Sequence, residues 1–165
     1  MPSEGTPRIL NILFRFLQVF SLGAWVGSII YFAAVVAQAA FTVLTADQAG
    51  ALVGLTLSRL HLFGVIAGVV YLVASAIGQR SFTALVRPAP LLVFAMIVLT
   101  LISQFYVIGT MDALRAQMGS VSATASSDPL RASFDRLHAV SVRMEIAVLL
   151  SGLAALALTV RKTAP

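Results

Sequence analysis

The sequence predicts an all-α integral membrane protein: a four-helix bundle made of two tandem helical hairpins, with some helices protruding beyond the bilayer. Three observations predict it. Hydrophobic residues make up 59% of the 165 residues and charged residues only 10%, against about 25% charged in a soluble domain. The chain contains four long apolar stretches: three are free of charge over at least the roughly 20 residues needed to cross about 30 Å of hydrocarbon, and the fourth, Ile146 to Val160, is short but lengthened at one end by Leu137 to Met144. Two of the four segments carry Arg-Leu-His near their starts, Arg59-Leu60-His61 and Arg136-Leu137-His138, and these hold the only histidines. The tandem copies place a histidine at about the same depth in each hairpin.

Span one lies between Arg15 and Asp47, at about 14–44. Ala37-Gln38-Ala39 resembles a signal cleavage site, but the apolar run before it, from Phe16, exceeds the usual core of about 7–15 residues. The segment is therefore read as a retained helix. Span two lies between Arg59 and Arg80, at about 58–79, and span three between Arg87 and Asp112, at about 88–111. Span four covers about 137–161. Thr45 followed by Gln48 fits a capping box, so the second helix starts well before its span and runs to about Gly78. Asp128-Pro129 fits an N-cap with proline in the first turn, so the fourth helix runs from there to Arg161. Each would be roughly 50 Å long at about 1.5 Å per residue, longer than the membrane is thick. Gly119 to Ser127 is small and polar and reads as a flexible loop over 119–127. Residues 1–165 are taken as one transmembrane domain.

Four spans put both termini and the Gln79–Arg87 loop on one side. That side carries Arg8, Arg15, Arg80, Arg87, Arg161 and Lys162; the other carries Arg59, Arg115, Arg131, Arg136 and Arg143, with every acidic residue except Glu4. The basic count favours cytoplasmic termini by one residue. The expectation is a bacterial inner-membrane protein with its histidines toward the extracytoplasmic face. The net charge of +5 is scattered at span ends, which fits lipid headgroups rather than nucleic acid. Cysteine is absent, which excludes disulfides and thiolate chemistry.

Glycines stand four apart at Gly23/Gly27, Gly50/Gly54 and Gly64/Gly68. Small residues at this spacing let helices approach closely in lipid, within one chain or in a homo-oligomer. On the last helix His138, Ser141 and Glu145 fall at i, i+3 and i+7 and share a face, extended by Phe134. Ionisable groups at membrane depth face a protein interior or a wet cavity. With His61, Arg59, Asp112 and Gln104 they are expected to line an interhelical polar pocket on the outer side. The expected partner of Glu145 is His138, Arg143 or a residue of span two. Trp25 reads as a belt or packing residue.

The run Leu22-Gly23-Ala24-Trp25-Val26-Gly27-Ser28, with Ala49-Gly50 and Gly54, and the helix-four pattern Phe134-x-x-Leu137-His138-x-x-Ser141-x-x-x-Glu145 resemble the transmembrane protein 205-like family of small four-span proteins. The resemblance covers nearly the whole chain. It implies the four-span fold and a site marked by His138, Ser141 and Glu145. Asparagine is common in that family at the position of Glu145, so the carboxylate here makes the pocket more acidic.

The function expected is non-enzymatic: a membrane protein that binds or passes a small ligand or ion through the outward pocket, without a resident cofactor. Two alternatives stand beside it. One is a structural or accessory subunit of a larger membrane complex. The other is a b-type haem protein with His61 and His138 as axial ligands. Met111, Met118 and Met144 lie on the same side, so copper is a further candidate ligand. A Ser141–His138–Glu145 triad fails on geometry, because His138 and Glu145 would stand about 10 Å apart on one straight helix.

Overall fold

The structure is a computed structural model and describes residues 5–79 and 81–161, with the side chains of residues 5–7 and 82 outside the description. Glu4, Arg80 and Lys162, which enter the charge count, lie outside the described residues.

Helix α1 runs Gly5–Tyr31, passes through a π-helical turn at Phe32–Val36 and continues over Ala37–Val43. Leu44 turns to extended backbone and ends it. Thr45 then caps α2, Ala46–Gly78: its hydroxyl accepts from the Gln48 amide, and the Gln48 side chain accepts from the Thr45 amide. These two bonds satisfy donors that a helix start leaves unpaired. A short 3₁₀ turn, Phe82–Val86, leads to α3, which comprises Pro88–Ile102, a π-helical segment Ser103–Ile108 and Gly109–Met118. Helix α3 thus extends past the expected 111. Gly119 stops it at φ 71°, a left-handed conformation that suits glycine. Asp128 caps α4, Pro129–Arg161, by accepting from the Leu130 amide at 2.7 Å.

The four helices close into an antiparallel ring in which α1 packs on α2, α2 on α3, α3 on α4 and α4 on α1. Their length and hydropathy suit membrane spans. Their outward faces present apolar side chains such as Phe20, Leu62, Val73, Phe94 and Leu150, as expected where the solvent is lipid. The inward core joins Leu22, Trp25 and Val26 of α1 to Tyr71 of α2, Val93 and Met96 of α3 and Val148 of α4.

Lipid tails are as apolar as leucine, so helix association here rests on close packing. Trp25 is 1% exposed and is a packing residue. A Cβ on Gly64 would overlap its indole, and one on Gly68 would stand 2.8 Å from both Trp25 and Ile97. Gly152, which the spacing argument did not single out, gives way to Val26, with 2.6 Å to its Cγ2. These glycines make room for side chains. Gly50 and Gly54 receive the Arg115 guanidinium, whose nitrogens would lie 3.5 and 3.7 Å from an added Cβ. An added Cβ on Gly23 or Gly27 would meet nothing within 4 Å among the described residues.

Candidate functional site

The inward face of α2 repeats His61, Gly64, Ala67, Gly68, Tyr71, Ala74 and Ser75, so helical register carries His61 into the bundle, where it is 3% exposed. Its Nε2 lies 2.6 Å from Glu145 Oε1 on α4, and its Nδ1 lies 2.8 Å from Gln104 Oε1 on α3. The Gln104 amide in turn donates to Ser58 Oγ at 3.3 Å. Each ring nitrogen of His61 thus has one polar partner, and the two partners come from different helices, as ionisable groups at membrane depth require.

Helices α2 and α4 are diagonal in the bundle. The His61–Glu145 bond therefore spans its core, and the Tyr71 hydroxyl does the same nearer the termini by pairing with Thr159 Oγ1 at 2.8 Å. Gln104 belongs to the π-helical segment of α3. Such segments often occur at functional sites. Beside it Thr100 and Ser103 are buried with hydroxyls that lack a hydrogen-bond partner among the described residues.

A groove of about 250 Å³ between α2 and α3 opens beside this network. Ser58, His61, Thr100 and Gln104 supply its polar surface; Leu62, Val65, Leu101 and Phe105 supply the apolar remainder. Leu62 is 64% and Phe105 78% exposed, so the groove opens laterally toward lipid.

Of the expected pocket residues, the structure brings together His61, Gln104 and Glu145. Ser141 is buried one turn before Glu145. His138 is exposed, as is Arg59, and neither has a hydrogen-bond or ion-pair partner among the described residues. Asp112 is also exposed and pairs with Arg115 at 3.3 Å. The reason His138 departs is angular. The buried face of α4 follows Phe134, Ser141, Val148 and Gly152. At about 3.6 residues per turn Glu145 lies on the flank of that face and His138 further round. Glu145 still reaches inward, because His61 meets it. Its partner is thus the residue on span two. The two histidines of the repeated tripeptide occupy different environments, one enclosed and one outside. Ser58, Thr100 and Ser103 were not anticipated; the signal for Ser58 was its position one turn before His61.

The end of the bundle remote from the termini is built differently. Met111, Met118 and Met144 meet in one apolar cluster with Val107, Phe134 and Leu137. Arg115 lies over the Phe134 ring at 5.5 Å. The segment expected to be flexible is irregular but tethered. Asp47 accepts from the hydroxyls of Ser120 and Ser122 at 2.6 and 2.7 Å and from the amides of Val121 and Ser122 at 3.1 and 3.2 Å. These bonds, the Ser120 hydroxyl foremost, lower its carboxyl to about 2. Asp47 sits in the first turn of α2, ahead of the span expected at about 58–79. Arg131 adds a bond to the Val121 carbonyl and pairs with Asp135 at 3.1 Å.

A family model, Domain of unknown function (DUF4149), matches residues 20–120. The matched stretch holds Ser58, His61, Thr100 and Gln104; Glu145 lies beyond it. No curated protein and no solved structure matches the chain.

Proposed function

The chain belongs to the DUF4149 family, and we propose that it is a non-enzymatic multi-pass membrane protein that binds, or passes, a small ligand with an apolar body and a polar end. The observation that carries this reading is the groove between α2 and α3, open toward lipid and floored by Ser58, His61, Thr100 and Gln104. Apolar walls with a few convergent polar groups characterise small-molecule sites. A ligand entering from the bilayer would lay its body along Leu62 and Phe105 and meet Ser58 and Gln104 with its polar end, above the buried Thr100. The non-enzymatic reading is supported by His61 itself. Its two nitrogens are engaged by Glu145 and Gln104, so it has no serine hydroxyl to activate. We read the site as facing the extracytoplasmic side of a bacterial inner membrane, with cytoplasmic termini; the one-residue excess of basic residues on the terminal side supports that orientation. The transmembrane protein 205-like resemblance belongs to the same reading, with Glu145 as the motif residue that enters the network.

The test is to purify the full chain from membranes in mild detergent, extract it with organic solvent and identify what co-purifies by mass spectrometry. The expected result is a species near one per chain that Thr100→Leu, which fills the groove floor, removes while the protein stays folded. An unchanged inventory in that variant would sink the proposal. The optical spectrum and metal content of the same sample test the haem and copper alternatives. A bis-histidine site would require His61 to leave Glu145 and His138 to turn inward.

A second reading, an accessory subunit or homo-oligomer, is favoured by one observation. Gly23 and Gly27 stand on α1 with open space over both, whereas Gly64, Gly68 and Gly152 are filled within the chain. A helix from another chain would fit there. Mass measurement of the protein in detergent, with and without Gly27→Leu, tests it.

A further inference from the structure

At the end of the bundle that carries the termini, a second cavity of about 380 Å³ opens among all four helices. It is remote from the His61 groove. Its floor includes Tyr71 and Thr159, whose hydroxyls bond to each other and close it against the core. Arg15 from α1 and Arg87 from the turn before α3 line it. Among the described residues neither arginine has a hydrogen-bond or ion-pair partner, and none of those that line the cavity is a carboxylate. Asn11, Gln18 and Gln79 add neutral amide donors.

Two guanidiniums without partners among the described residues line one cavity; both side chains are exposed, so water screens their mutual repulsion in part. An anion between them offsets it. The guanidinium fork matches the oxygens of a phosphate group in pairs. The depth agrees: Arg15 and Arg87 immediately precede the apolar runs of α1 and α3, where arginines meet headgroups. The volume equals roughly a dozen waters at about 30 Å³ each, enough for a phosphate and a short ester-linked polar group.

We propose that the cavity between Arg15 and Arg87 is a phosphate-binding site. The phosphate could be that of an anionic phospholipid headgroup or a free phosphate, and the two sources are separable. Thermal unfolding of the full chain in neutral detergent is measured with added phosphatidylglycerol, phosphatidylcholine or inorganic phosphate. The expected result is stabilisation by phosphatidylglycerol above phosphatidylcholine, with the half-saturating lipid concentration raised at least tenfold in Arg15→Gln/Arg87→Gln. Arg161→Gln, which removes a charge from the same side outside the cavity, should leave that concentration unchanged. Stabilisation by inorganic phosphate at millimolar level, lost in the same double variant, would assign the site to free phosphate and equally support the proposal. Should the double variant not fold, Arg87→Lys keeps the charge but not the fork and should still weaken binding severalfold. The proposal fails if neither phosphate source stabilises the protein, or if Arg161→Gln weakens binding as much as the cavity variants do.

Discussion

Replacing His61 and Glu145 by leucine, singly and together, tests the central contact. His61→Leu leaves the Glu145 carboxyl, 18% exposed, facing an apolar side chain, and also strips Gln104 of its imidazole partner. Glu145→Leu leaves only one imidazole nitrogen without a partner, and imidazole can stay neutral. Removing one member of a buried pair in a soluble protein costs about 3–5 kcal/mol, whereas hydrogen bonds between membrane helices average only about 0.6 kcal/mol in coupling. The enclosed His61 and the short 2.6 Å contact place this pair between those limits. We expect His61→Leu to cost about 3 kcal/mol and Glu145→Leu about 1–2 kcal/mol, the price of an unsatisfied polar group. The double variant should recover most of this loss, because a buried pair replaced by apolar groups of similar volume is often neutral; the part that remains, about 1 kcal/mol, is Gln104 left without its His61 partner. The assay is reversible unfolding by dodecyl sulfate in mixed micelles, read as a double-mutant cycle. Additivity within about 0.5 kcal/mol would refute the argument, since it would show that the two side chains do not depend on each other. If the pair is instead kept for ligand binding, the double variant should be stable yet lose the co-purifying species.

Gly64→Ala should destabilise the bundle by about 1–3 kcal/mol in the same assay, because its Cβ meets the Trp25 indole; Gly27→Ala, with open space, should be neutral or stabilise by up to about 1 kcal/mol. Asp47→Ala should free the 119–127 loop, read as increased mobility of a spin label at Ser126→Cys near neutral pH. With Asp47 intact, the low native pKa means that the tether's contribution is complete above the usual value of 3.8 and disappears as pH falls through about 2. The label should therefore stay restrained from pH 8 to 5 and loosen only in stronger acid; loosening already between pH 7 and 5 would contradict this. A cysteine at Ser126 should react with an impermeant reagent from the extracytoplasmic face and one at Thr163 should not, and the reverse pattern would invert the topology.

Much of the fold was legible because its signals are local. The Thr45–Gln48 capping box and Asp128-Pro129 start helices from contacts within a few residues, and both starts are found where expected. Charge-free runs locate the spans because lipid excludes charge all along a helix. The tether on the 119–127 loop was not legible, since Asp47 lies on another hairpin and small polar residues look alike whether bound or free. Nor was Gly152, which has no glycine four residues away and is filled from α1 and α3.

The sequence by itself determined that there are four apolar helices, where they begin and which polar residues cannot face lipid without a partner. Composition and short-range capping suffice for that, because the bilayer constrains each helix separately. Only the tertiary structure decided which polar residues meet. His138 and Glu145 look equivalent on a helical wheel, yet one is exposed and the other spans the bundle to His61. The difference is set by how α4 is rotated against its neighbours, and that rotation depends on Trp25 seated over Gly64 and Gly68 and on Val26 against Gly152. It is a property of packing between distant segments, and no single helix encodes it.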